Sequence, residues 1–348
     1  MPKLIPRTPA AASAWSVVAG DGSSYYSFPA AVLSPDGETI VCAYKHGDHN
    51  TYPPQDIVIR QRALSPLNAA WSPEVTIFSH DSGTSRSPAD PVLLYTSTGR
   101  LLCFTTYVNH GGSYYRRGHL SYSDDGSTWT NVGAITNKFS AWNSPASAIE
   151  VDGTIYLVVY GQNSGDVGGY RIGLLSSVDG GITWSASIEV ASGIAPAYSY
   201  EEPGIVRLDD GAFGMFVRTD EHAQIMFISA DTITGTWRKP ITIARGYGRC
   251  YSAQFSGNKF LLCQRWPANE LGGQAIVFYT VVVDPATRLP SVSRPAFLHP
   301  TCTPTGTRRQ MYGAFAVKDA NTAVAIVGSD DGDYVGESTI EQIEVSIA

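Results

Sequence analysis

The sequence predicts an all-β fold, a six-bladed β-propeller of four-stranded antiparallel blades, and three observations carry that prediction. Segments with strand character are short and separated by turn signals, and no segment keeps an apolar 3.6-residue period for three turns. Turn-forming residues are plentiful, with 34 Gly and 21 Pro among 348 residues. Tryptophans end successive units at intervals of roughly 55 residues, which is close to the period of propeller blades.

Four units share one order of elements: an apolar run entered through a Pro, a Gly-containing turn, a second apolar run, and a third run that leads to Trp. A fifth unit lacks the Trp turn, and a sixth runs to the C-terminus. One such sheet cannot bury both faces until neighbours stack on it, so six units predict six blades. In chain order the units are Phe28–Trp71, Asp90–Trp129, Ser144–Trp184, Glu202–Trp237, Tyr251–Val283 and Met311–Ala348.

The two ends of the chain are predicted to complete the last blade together. The sixth unit supplies only three strands, whereas Ala14–Ala19 is an extra strand before the first unit. Pairing it with Ser338–Ile347 would close the ring and remove two exposed sheet edges. We therefore expect one domain over residues 1–348, with residues 1–13 as an N-terminal extension.

Composition excludes several function classes. The net charge of −7, with no basic cluster larger than two adjacent arginines, argues against nucleic acid as a partner. No run approaches the about 18 apolar residues of a membrane span, and no signal peptide is recognisable at the N-terminus. A soluble protein is expected, and secreted or phage-associated locations are both compatible with the sequence. The five cysteines form no CxxC, so neither a metal site nor a cofactor is expected.

The Trp turns contain the most specific local motif. Ser177–Trp184 reads S-x-D-x-G-x-T-W and resembles the Asp box of sialidase-type propellers. Ser123–Trp129 is a second copy, with Tyr122 where the initial Ser belongs, and Ser65–Trp71 and Ser229–Trp237 are degenerate copies. A carboxylate that accepts amide hydrogen bonds, a Gly that tolerates positive φ and a covering Trp suit a tight hairpin. We interpret the boxes as structural elements at the blade periphery.

The resemblance to the sialidase (neuraminidase) superfamily covers most of the chain and implies a set of functional residues. Members are exo-glycosidases with a Tyr nucleophile activated by Glu, an Asp acid/base, and arginines that hold the substrate carboxylate. By position in the blades, the resemblance implies Tyr312 as nucleophile, Glu202 as its base and Asp48 as the acid. It likewise implies that Arg218 and Arg265 bind the carboxylate.

One position departs from the family pattern. The first arginine of the family opens blade one in a Tyr-Arg-Ile-Pro type motif, which here reads Tyr26-Ser27-Phe28-Pro29. Lys45 and Arg249 are candidates to compensate for the missing cation. Glu201 adjoins Glu202, and in a regular strand only one of two neighbours faces the central funnel.

Two other functions fit the same sequence. A polysaccharide lyase acting on uronic acids needs a His or Tyr base and a cation on the carboxylate, and His110 with Tyr200 or Tyr251 and Arg218 could supply them. A non-catalytic glycan-binding propeller of the phage-tail or lectin type would use the many aromatic residues for stacking on sugars. The paired acidic residues of blade four favour the sialidase-like exo-glycosidase, with a glycan as the expected substrate and acidic sugars among the candidates.

Overall fold

The computed structural model describes 25 β-strands within residues 6–21, 24–47, 55–83, 86–109, 116–166, 169–192, 199–219, 223–266, 275–299, 309–330 and 338–347, and no helix in those ranges. Two N-terminal strands, β1 (Ala10–Ala11) and β2 (Ser16–Ala19), precede the first blade. The remaining strands form six antiparallel sheets in chain order. The predicted six-bladed propeller is therefore confirmed.

Blades one to three each contain four consecutive strands, joined in order by antiparallel pairing. Their strands are β3 Tyr25–Leu33, β4 Thr39–Gly47, β5 Gln55–Ala63 and β6 Val75–Phe78; β7 Arg86–Tyr95, β8 Leu101–Asn109, β9 Arg116–Ser123 and β10 Thr130–Ala134; β11 Trp142–Val151, β12 Thr154–Gln162, β13 Arg171–Ser177 and β14 Ser185–Ser192.

Blades four and five repeat this order, and blade six holds the last three strands. Their strands are β15 Tyr200–Arg207, β16 Phe213–Thr219, β17 Gln224–Ala230 and β18 Ile241–Arg245; β19 Tyr247–Phe255, β20 Lys259–Arg265, β21 Ile276–Val283 and β22 Pro290–Val292; β23 Arg309–Val317, β24 Thr322–Asp330 and β25 Ser338–Ser346.

The N- and C-terminal strands pair as predicted. Ser16 in β2 lies opposite Gln342 in β25, and β1 extends the same edge with Ala10 opposite Ser346. The Trp15 indole Nε1 donates to the carbonyl of Leu298 at 3.1 Å. These contacts give the sixth blade its outer edge.

The first strand of each blade contacts the first strands of both neighbouring blades, so β3, β7, β11, β15, β19 and β23 form a ring around the propeller axis. The approach is close: a Cβ on Gly204 would overlap the carbonyl oxygen of Cys250 in the next blade. The second strands are buried on both faces, as in β16, where every residue is buried. Apolar clusters fill the space between adjacent blades, as Phe104, Leu157 and Trp184 do between blades two and three.

The Asp boxes lie in the hairpins between the third and fourth strands, away from the axis. Asp179 accepts hydrogen bonds from the amides of Ile182 and Thr183 at 3.1 and 2.9 Å. The Thr183 hydroxyl also donates to Asp179, at 2.6 Å. This bond, followed by the amide bonds, holds the pKa of Asp179 down at about 2. Trp184 Nε1 closes the hairpin on the Gly181 carbonyl at 2.8 Å.

The second box uses different residues from those the motif alignment predicted. Ser123, rather than Tyr122, takes the Ser position and donates to Asp125 at 3.0 Å. Asp125 also accepts from the amides of Ser127 and Thr128. This hairpin is one residue shorter than the first, so an alignment on Trp129 shifts the Ser by one position.

Candidate active site

The inner strand of every blade carries a β-bulge near its start. The bulges lie between Ser27 and Ala30, Ala89 and Val92, Pro145 and Ser147, Glu201 and Gly204, Tyr247 and Tyr251, and Gln310 and Gly313. A bulge leaves a residue unpaired and turns its side chain out of the regular alternation. Because the inner strands surround the axis, the six bulges bring their side chains to one central site.

Three bulge residues have a left-handed backbone although none is glycine. Phe28, Asp90 and Glu202 have φ angles of 53°, 55° and 48°, and each precedes a proline. Such conformations cost of order 1 to 3 kcal/mol each and cluster at functional sites. The surrounding sheets must therefore stabilise a backbone that these residues do not prefer.

Arg218 holds both blade-four glutamates. Its Nε donates to Glu202 Oε2 at 2.6 Å and its Nη2 donates to Glu201 Oε2 at 2.5 Å. All three side chains are buried. The expectation that only one of the two neighbouring glutamates faces the funnel is wrong, because the bulge at Glu202 interrupts the alternation.

The two carboxyl groups differ in acidity. Burial favours a raised pKa for Glu202, but the charges of Arg218, Arg249 and Arg265 outweigh it and hold that pKa below its usual value. Burial raises the pKa of Glu201, where Arg218 compensates only in part. Glu202 is therefore ionised at neutral pH and able to accept a proton.

Tyr312 lies between an aromatic ring and a cation. Its ring stacks on Phe28 with centroids 4.3 Å apart and an interplanar angle of 29°, and the Arg265 guanidinium carbon lies 5.7 Å from its centroid. Burial, followed by the negative charge of Glu202, raises the pKa of the phenol well above its usual value. The free hydroxyl is thus protonated, and ionising it requires a base.

Arg249 and Asp90 connect blades five and two across the site. Arg249 Nη2 lies 3.8 Å from Asp90 Oδ2, and its Nη1 donates to the Pro91 carbonyl at 3.0 Å. Arg249 and Tyr251 both line a cavity of about 160 Å³ between the inner strands. The guanidinium carbon of Arg249 lies 5.6 Å from the centroid of the Tyr251 ring, whose hydroxyl is buried.

The structure describes only some of the remaining sequence candidates. Lys45 is buried, with Nζ 5.3 Å from the Phe28 ring centroid. Asp48 and His110 lie outside the residues that the structure describes. In that described part of the chain, no group of three or more His, Cys, Asp or Glu side chains is placed to hold a metal ion, and no helix has the length and apolar character to cross a membrane.

A BNR repeat-like domain model matches residues 38–244. The chain belongs to the BNR repeat-like domain family. No curated protein matches this sequence. Among solved structures, a protein of unknown function from Dyadobacter fermentans is 18% identical, with a TM-score of 0.79, and the match covers 98% of this chain and 100% of that one.

Sialidases share the same fold at lower identity. A variant of the NanB sialidase of Streptococcus pneumoniae is 10% identical with a TM-score of 0.73, over 97% of this chain and 71% of that one. The Trypanosoma rangeli sialidase in complex with the inhibitor DANA is 10% identical with a TM-score of 0.66, over 92% of this chain and 55% of that one. At these identities the likeness concerns the fold, which is that of sialidase-type BNR propellers.

Sequence reasoning missed two side chains of this BNR site, Asp90 and Phe28. Both stand directly before a proline that enters the first apolar run of a unit, as Glu202 does. That recurring residue-proline pair was the available signal, and it marks the bulge of three blades. The functional importance of the pair was not visible, because in a regular strand the residues before these prolines would not all face the axis.

Proposed function

We propose that this protein is a sialidase-like exo-glycosidase that removes a terminal acidic sugar from a glycan. The observation that carries the proposal is the cluster of Glu202, Arg218 and Tyr312 at the propeller axis, in which Arg218 bonds Glu202 and the Glu202 charge acts on the Tyr312 phenol. A carboxylate that stays ionised beside a phenol that stays protonated is a base and nucleophile pair. The reaction would need no metal ion or organic cofactor.

The charge balance of the site suits an anionic sugar. Within the described part of the chain, cationic side chains outnumber carboxylates around the axis, and each carboxylate has an arginine or lysine nearby. The cations include Lys45, Arg116, Arg218, Arg249 and Arg265, and the carboxylates are Asp90, Glu201 and Glu202. A substrate carboxylate would neutralise the excess positive charge in a site that water reaches poorly, where such contacts are strongest.

The proposed reaction has two steps. In the first, the Tyr312 oxygen attacks the anomeric carbon while Glu202 accepts the phenolic proton, and the glycosidic C–O bond breaks. Asp48 gives a proton to the departing oxygen. In the second, Asp48 takes a proton from water, the water oxygen displaces Tyr312 from the sugar, and Glu202 returns the proton to the phenol. The net change is addition of one water across the glycosidic bond.

Product analysis on matched glycosides tests this proposal. Fluorogenic glycosides of N-acetylneuraminic acid and glucuronic acid should release the free sugar, and the neutral galactoside should not react. Glu202→Gln should abolish release, whereas Glu189→Gln, an exposed change in the outer strand β14, should leave it unchanged. A polysaccharide product with a new carbon–carbon double bond would establish the lyase instead, and glycan binding without any product would establish the binding propeller.

A further inference from the structure

Glu201 is a buried carboxyl group that the proposed reaction does not use. Its side chain is 9% exposed, and its two oxygens contact Arg218 Nη2 at 2.5 Å and the Ser199 hydroxyl at 3.3 Å. The Ser199 oxygen also accepts from the amide of Tyr170 at 3.2 Å. Burial raises the pKa of Glu201, and Arg218 compensates only in part. This carboxyl group therefore takes up a proton more readily than an exposed glutamate does.

Arg218 divides one edge of its guanidinium group between the two glutamates. Nε and Nη2 form an edge that commonly binds a single carboxylate through two parallel hydrogen bonds. Here Nε bonds Glu202 and Nη2 bonds Glu201, so the edge is shared by two carboxylates. When two neighbouring carboxylates share one site, the less stabilised of them protonates first.

The surrounding charges favour Glu202 as the ionised member of the pair. Two further arginines, Arg249 and Arg265, stabilise the charge of Glu202. Arg116 of blade two also acts on Glu201, but less strongly than the repulsion from Glu202 does. The groups that interact with Glu201 are the Ser199 hydroxyl and Glu202 on its own segment, Arg218 on β16, Arg116 on β9 and the Tyr160 phenol on β12.

We propose that Glu201 takes up a proton from the solvent when a carboxylated sugar binds to Arg218, so that ligand binding and protonation of Glu201 are linked. The inference rests on the proposed function for its ligand. A ligand carboxylate that bonds Arg218 through Nη1 and Nη2 shares Nη2 with Glu201, so two carboxylate oxygens would lie on one nitrogen. A protonated Glu201 no longer repels the ligand, and its O–H group can donate to the Ser199 oxygen.

The linkage makes acid sugars bind more tightly as the pH falls. A bound carboxylate adds negative charge beside Glu201 and raises its pKa further. Between the pKa values of the free and the liganded protein, binding consumes one proton and Kd falls about tenfold for each pH unit. The range from pH 5 to pH 7 suits the test, because Lys45, with a pKa lowered to about 8, is already charged there. The Tyr160 phenol stays protonated in this range, since burial raises its pKa.

Calorimetric titration of the whole chain with N-acetylneuraminic acid and with galacturonic acid measures the linkage without turnover. Titrations in phosphate and in imidazole, buffers with different ionisation enthalpies, should give a maximum of more than about half a proton taken up per ligand in the wild type. Glu201→Gln should take up no proton, and its Kd should stay within about twofold from pH 5 to pH 7. The exposed variant Glu189→Gln in β14 is the matched control and should behave as the wild type.

Carbon-13 NMR of the glutamate-labelled wild type detects the same proton without any variant. One carboxyl resonance should move to the protonated position when N-acetylneuraminic acid binds at pH 6. Melting temperatures show that each variant used in calorimetry is folded. If Glu201→Gln does not fold, the NMR result decides: carboxyl resonances that stay at their ionised positions in the bound protein would overturn the linkage.

The outcomes separate this inference from the proposed activity. Proton uptake that is lost in Glu201→Gln, without cleavage of any glycoside, would remove the hydrolase and support the linkage. Cleavage with the same pH-independent Kd in the wild type and in Glu201→Gln would overturn the linkage alone. Uptake that persists in Glu201→Gln and disappears in Glu202→Gln would assign the proton to the base and overturn the role of Glu201. No binding of either acid would overturn both proposals.

Discussion

Replacing Arg218 by Met should destabilise the whole propeller in a pH-dependent manner. In the wild type one guanidinium satisfies two buried carboxylates, Glu201 and Glu202, through hydrogen bonds of 2.5 and 2.6 Å. Removing one partner of a buried ion pair costs about 3 to 5 kcal/mol, since the remaining charge stays out of water. Here two like charges would remain, which places the expected loss at the upper part of that range.

The pH dependence follows from the directions in which the two pKa values move. Arginine charges hold the pKa of Glu202 below its usual value, so its stabilising contribution is present above the unfolded pKa and is lost only in acid. Without Arg218 both carboxyl groups have raised pKa values, so the variant gains stability as the pH falls and they protonate. A pKa that rises by 1 corresponds to about 1.4 kcal/mol. The free energy of unfolding that Arg218→Met loses relative to the wild type should therefore be smaller at pH 5 than at pH 7 by at least that amount.

Urea denaturation at the two pH values measures the effect, with Arg238→Met as the matched control. Arg238 pairs with Asp231 at 3.1 Å, but both side chains are largely exposed, so its loss should cost less than about 0.5 kcal/mol at either pH. An Arg218→Met deficit below about 1 kcal/mol, or one of equal size at pH 7 and pH 5, would refute the shared-arginine reasoning.

Three further predictions concern the site, the boxes and ring closure. Tyr312→Phe should cut kcat at least about a hundredfold with little change in melting temperature; a kcat near that of the wild type would exclude Tyr312 as nucleophile. Asp179→Ala should lower the melting temperature by about 2 °C or more through unsatisfied turn amides and leave kcat per folded molecule unchanged; loss of turnover alone would contradict a structural box. Deleting residues 1–20 removes the strand that pairs with β25, and scanning calorimetry should show one transition at lower temperature, not an unchanged main transition with a fraying end.

The sequence predicted the blades because their signals are local. Apolar runs, Gly-containing turns and the Trp hairpins repeat in each unit, and each pattern depends on residues within one sheet. Closure by the two ends was also predictable, since one strand was left over at the N-terminus and one was missing at the C-terminus. The second Asp box was misaligned because a one-residue difference in hairpin length is compatible with the same motif.

The candidate site was predictable only in part. The resemblance to sialidases named Glu202, Arg218, Arg265 and Tyr312, and the structure brings these four side chains together at the axis. Their catalytic and binding roles stay predictions. Asp48 and His110 lie outside the described residues, so the choice of acid, and the lyase alternative with it, is decided by experiment.

By itself the sequence determined six sheets, their order and the way the ring closes, because strand periodicity and turn chemistry are properties of neighbouring residues. Only the tertiary structure decided which side chains meet at the axis. A bulge with a left-handed residue before proline aims Glu202 and Asp90 out of the strand alternation, and such a backbone persists only when the packed blades hold it. The sharing of Arg218 by two adjacent glutamates, and the place of Lys45 opposite Ser27, depend on that register between strands.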